Sequence, residues 1–91
     1  MPGKQAHMKF QGTVQGVGFR YAALHTAKHL GLTGWVKNMS DGSVEATAEG
    51  EEDQIKAFIR SLQEQFGGYI RSVKTDWSEP SGDFAAFDVR F

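Results

Sequence analysis

"LTGWVKNMSDGSVEATAEG", residues 32–50, reads as two strands, LTGWVKN and SVEATAEG, joined by MSDG. Asp41-Gly42 is a strong hairpin signal, because Gly accepts a positive φ at little cost. The two strands are therefore expected to pair antiparallel. A helical pattern lies on each side of them. Before the hairpin, YAALHTAKHL (residues 21–30) is rich in helix formers, puts Leu24, Ala27 and Leu30 on one side, and is followed by Gly31, placed to cap its end. After the hairpin, Glu51, Glu52 and Asp53 suit the positive end of a helix dipole. Ile55, Phe58, Ile59, Leu62 and Phe66 follow at three- and four-residue intervals, and Gly67-Gly68 stops the run.

Outside the helices the period changes to two. Ala6, Met8 and Phe10 alternate with His7, Lys9 and Gln11, as in a strand with one buried face. YIRSVKTDW (69–77) reads as a strand, SEPSGD (78–83) as a loop, and FAAFDVRF (84–91) as a final strand in which Phe87, Val89 and Phe91 alternate. The order is β-α-β-β-α-β plus one further strand. Each helix has a single apolar stripe, so the economical packing is two helices on one face of a mainly antiparallel sheet. The expected fold is a ferredoxin-like α+β sandwich. With 91 residues, 40% of them hydrophobic, the chain is expected to form one domain over 1–91.

Composition excludes several kinds of chemistry. Ten Lys and Arg oppose eleven Asp and Glu, so no global basic field draws nucleic acid or an anionic membrane. Any anion site must be local. There is no cysteine, hence no disulfide, thiolate nucleophile or cysteine-ligated metal. MPGKQAHMKF has no signal-peptide apolar core, and no run nears the ~20 apolar residues of a membrane helix, so a cytoplasmic location is expected.

The chemistry concentrates in GTVQGVGFR, residues 12–20. Here the chain turns from strand to helix, and the first amides of that helix have no internal partners. Gly16 and Gly18 let successive amides converge, and Arg20 adds a planar fork of donors suited to two oxygens of a phosphate. The guest would be a phosphoryl or carboxylate group. The plainer alternative is a tight turn followed by a solvated arginine. The stretch lacks the Gly-Lys-Ser/Thr ending of a Walker loop, and the Rossmann fingerprint is incomplete. With no cysteine anywhere and no Asp or Ser between Gly12 and Arg20, water is left to attack a bound phosphate directly. Asn38, at the end of the second strand, can donate and accept at once and so orient that water. It can equally begin the Asn38–Gly42 turn.

Taken together, GTVQGVGFRY, AKHLGLTGWVKN and DGSVEATAEG resemble the acylphosphatase family, in order and at that family's spacing, from about Lys9 to Gly50. The likeness continues more weakly to the final Phe-rich strand. It implies a ferredoxin-like fold and hydrolysis of carboxyl-phosphate mixed anhydrides to a carboxylate and inorganic phosphate, with no metal or organic cofactor. By this resemblance the phosphate-cradling loop falls on Gln15, Gly16, Val17, Gly18 and Phe19, the substrate-binding arginine on Arg20, and the water-orienting asparagine on Asn38. The implied partner is a small-molecule acyl phosphate, with inorganic phosphate or other anions able to enter the loop.

The sequence departs from the family pattern at Met39 and Ala23, where many relatives carry Thr, and at EQFGGYIRSV, which replaces a usual Gly-Pro segment. Other readings are weaker. His25 and His29 have a metal-binding spacing on helix one, but no third ligand is evident, and two solvated histidines explain them. Tyr21, Trp35, Tyr69 and Trp77 are taken as core and rim packing rather than base-stacking platforms, since the paired aromatic strands of RNA-binding sheets are missing. The acidic run Glu49–Asp53 is taken as a solvated helix start. Acylphosphatase-like domains also open hydrogenase-maturation carbamoyltransferases, but there Pro-Phe typically follows the arginine, whereas here Tyr21-Ala22 does. Lys74, Asp76 and Arg90 would protect the edge strands, favouring a monomer.

Overall fold

The computed structural model describes residues 3–91, so Met1 and Pro2 of the expected domain lie outside the described residues. The elements run β1 (Lys4–Gly12), α1 (Phe19–His29), β2 (Thr33–Asn38), β3 (Val44–Gly50), α2 (Glu52–Phe66), a short 3-10 turn (Gly67–Tyr69), β4 (Ile70–Ser78) and β5 (Phe87–Arg90). The strands form one sheet in the order β4-β1-β3-β2-β5. β1 pairs antiparallel with β3 and β4, and β2 with β3, while β5 lies parallel to β2. This is the ferredoxin-like α+β sandwich, with the extra strand on the β2 edge.

Alternation decides which face of the sheet is covered. Met8 and Phe10 of β1, Val36 of β2, Val44 and Ala46 of β3, and Phe87 of β5 point to one side and are buried. The helices answer with Phe19, Ala23 and Ala27 from α1 and Ile55, Phe58 and Leu62 from α2, at spacings that keep each set on one helical face. Alanines at 23, 27, 46 and 48 let the helices approach the middle of the sheet, and phenylalanines fill the ends. Phe19 packs against both Phe10 and Phe66, each at 4.9 Å between ring centroids.

α1 differs from the expected helix in two respects. It begins at Phe19, taking in two residues read as loop, because Gly18 already has the left-handed cap conformation and its carbonyl accepts from Ala22 N–H. Its buried stripe is 19-23-27, with Leu24 and Leu30 only partly buried at its flanks. The C-terminal end closes as anticipated. Gly31 N–H donates to Lys28 O (3.2 Å) and Leu32 N–H to Ala27 O (2.9 Å), the paired bonds of a Schellman ending.

Three further expectations are corrected. Glu49 is not part of a solvated run: it is buried on β3 at 6% exposure. Its carboxylate accepts hydrogen bonds from Gln5 Nε2, Ser81 N–H, Ser81 Oγ–H and Gly82 N–H. β4 and β5 are opposite edges of the sheet, so residues 79–86 must cross its whole width, and Glu49 is where that crossing is tied down. The final strand is shorter than read, 87–90, and leaves Phe91 beyond it. Of the aromatics read as core and rim packing none lies in the core: Tyr21, Tyr69 and Trp77 are exposed, while Trp35, half-buried on the helix-free face, packs against His7 and Arg90. No helix among the described residues is long and apolar enough to cross a membrane.

Candidate active site

Residues 13–18 carry the chain from the end of β1 to the start of α1. Val14 is buried and anchors the segment, while Gly16 and Gly18 take φ values of 78° and 81°. Such values strain any residue with a Cβ. Nothing lies within 4 Å of where a Cβ would stand at either glycine, so the space in front of the loop is open to a ligand. Among the described residues, no protein oxygen accepts from the amides of residues 15–21, and the first helical bond is made by Ala22. No acidic side chain occupies the first turn of α1. The segment therefore offers a run of free donors at the positive end of a helix.

The side chains read from the sequence as site residues divide into three groups. Val17 is half-buried against the core and Phe19 is fully inside it, so each can offer a ligand only its amide. Arg20 is half-buried, and its guanidinium carbon lies 4.9 Å from the centre of the Phe91 ring. A guanidinium stacked on an aromatic face is held in orientation while its edge donors stay free. Gln15 reaches the β2–β3 turn with its carboxamide: Nε2 donates to Met39 O (2.7 Å) and Ser43 O (2.9 Å).

Asn38 closes β2, opposite Val44 of β3. Strand alternation puts it on the helix-covered side with Val36, at the sheet end where α1 starts. In the parallel pairing Val36 lies beside Val89 and Lys37 beside Arg90, so one step further Asn38 is level with Phe91 and the arginine stacked on it. The turn after Asn38 is closed by other residues. Met39 N–H donates to Ser43 O and Gly42 N–H to Met39 O, while Asp41 Oδ1 accepts from Ser43 N–H and Oγ–H. Lys9 Nζ lies 2.9 Å from Asp41 Oδ2. Hydrogen bonds from Ser43, then Lys9, hold the Asp41 carboxyl well below its usual range. The turn thus closes without the Asn38 side chain, which leaves that carboxamide for another task.

Sequence reading missed three contributors here: Phe91 beneath Arg20, the Gln15 side chain in the turn, and the Lys9–Asp41–Ser43 brace. Asp41-Gly42-Ser43 did carry a signal, since Asp commonly accepts from the amide two residues on. A polar recess of about 150 Å³ lined by Gln11, Gly12, Asp41, Gly42, Ser43 and Arg71 lies beside the same turn, and none of its lining residues belongs to 15–20.

Fold and site define an α+β sandwich whose strand-to-helix loop presents open amides beside an arginine and an asparagine. The family model described as acylphosphatase matches residues 6–89. An acylphosphatase from an Anaeromyxobacter species is 41% identical over 87 residues, which are 94% of each chain. The crystal structure of the Bacillus subtilis acylphosphatase superposes with a TM-score of 0.90 at 31% identity, covering 97% of this chain and 99% of that one. HypF from T. kodakarensis gives a TM-score of 0.82 at 33% identity, covering 97% of this chain but only 12% of that one. The chain belongs to the acylphosphatase family, whose fold and chemistry are those of acyl phosphate hydrolysis.

Proposed function

We propose that this protein hydrolyses small acyl phosphates by direct attack of water on a phosphoryl group cradled by the amides of residues 15–20. The observation that carries the proposal is the run of partnerless amides, opened by two left-handed glycines, with Arg20 in its first helical turn. These donors face the oxygens on which charge accumulates as the bond to the acyl oxygen breaks. Arg20 grips two of those oxygens, and Asn38 holds the water in line by donating a hydrogen bond to its oxygen and accepting a hydrogen bond from it. The leaving group is a carboxylate, which departs without a proton, so the phosphate itself can take the proton that water gives up. No strong general base is required.

Turnover of benzoyl phosphate and acetyl phosphate by the wild type, Arg20→Ala and Asn38→Ala tests the assignment. Wild-type release of phosphate above background is expected, with a loss of about a hundredfold or more in each variant, the scale of removing one preorganised donor or positioning group. Full activity in both variants would end the proposal. A second reading follows from the HypF match, in which a chain of this fold is a small part of a larger protein. In that case the cradle would bind phosphate without turning over an acyl phosphate.

A further inference from the structure

Gln15 touches both halves of the candidate site. Its backbone is continuous with the cradle at Gly16, and its carboxamide ends in the turn that follows Asn38, bridging 24 and 28 residues of sequence to Met39 O and Ser43 O. Both acceptors already have partners inside the turn, Gly42 N–H on Met39 O (3.2 Å) and Met39 N–H on Ser43 O (2.9 Å). The turn would close without Gln15. What Gln15 adds is a fixed separation between loop and turn.

From this we infer that the Gln15 side chain is a positioning residue, acting through Asn38 to hold the attacking water at the right distance from a phosphoryl group in the cradle. The inference rests on the reading of Asn38 given above. The Lys9–Asp41 pair anchors the turn from β1, so Gln15 and Lys9 pin it from two directions. An in-line attack needs the reacting atoms about 3–3.5 Å apart, and a displacement near 1 Å can cost a hundredfold. On that reading phosphate is gripped by the cradle amides and Arg20, not by the Gln15 carboxamide. Loss of the Gln15 donors should therefore lower kcat and leave phosphate binding in place.

Gln15→Met keeps the length of the side chain and removes both donors, and its backbone amide stays in the cradle. Expected for benzoyl phosphate is a fall in kcat of about ten- to a hundredfold. The inhibition constant of inorganic phosphate should stay within about twofold of wild type. In an Asn38→Ala background the same substitution should have no further effect, because residues that act through one another are not additive. Gln15→Asn keeps the donors but falls one methylene short, and it should show the same split even if Gln15→Met does not fold. A rise in the phosphate inhibition constant with kcat preserved would overturn the inference, showing that Gln15 merely shapes the cradle. So would an undiminished effect of Gln15→Met in the Asn38→Ala background. Full turnover by Asn38→Ala alone would instead remove the reading beneath it.

Discussion

Arg20 carries a charge whose value depends on where it is held. Its neighbour Phe91 is 84% exposed, yet its ring lies under the guanidinium. An exposed cation–π contact contributes about 0.5–1 kcal/mol. Phe91→Ala should therefore weaken phosphate inhibition by about two- to fivefold, measured against benzoyl phosphate hydrolysis, with little change in thermal stability. Gly18 makes a separate demand: at φ 81° an alanine would be strained by about 1–2 kcal/mol although nothing crowds its Cβ. Gly18→Ala should lower the urea midpoint accordingly and weaken phosphate binding as the loop relaxes. The glycines and Arg20 were legible in the sequence because their chemistry is local. The contacts of the Gln15 side chain and of Phe91 were not, since what they touch is set by strand register and by a turn 24 or more residues away.

Among the elements, the segment crossing from β4 to β5 depends on one buried carboxylate. Burial opposes ionisation of Glu49, but donors from Ser81, Gln5 and Gly82 outweigh it and bring its pKa from 4.5 to about 2. A folded pKa below the unfolded value means stability that is present above about pH 4.5 and is lost as pH falls toward about 2. Glu49→Gln should destabilise the protein by about 1–3 kcal/mol at pH 7, and the gap to wild type should close in acid. Urea unfolding of both proteins from pH 7 to pH 2 checks the sign. A gap that is constant over that range would contradict the account. The acidic run around Glu49 misled sequence reading because composition alone cannot distinguish a carboxylate at a helix start from one still inside a strand. Helix two and the hairpin were plain, since each has its own period and stop signal.

For the whole molecule, the order of elements and the one-sided helices were enough to specify the sandwich, because two amphipathic helices and alternating strands bury their apolar faces together in few other ways. The place of the fifth strand was not specified: its parallel pairing with β2 arises from a crossing segment with no periodic signal. Both sheet edges carry charge, Lys74 and Asp76 on β4 and Arg90 on β5, and all three are exposed. Sedimentation equilibrium should accordingly give a monomer of 10.1 kDa, and a dimer at micromolar concentration would contradict that expectation. The proposed cradle sits where the sheet end, the start of α1 and the β2–β3 turn meet. Titrating the isotope-labelled protein with inorganic phosphate, and following every backbone amide by NMR, tests that location most directly. The account predicts the largest shifts at residues 15–20 and their loss in Arg20→Ala. Largest shifts elsewhere, for example at the start of α2, or shifts that survive Arg20→Ala unchanged, would contradict it.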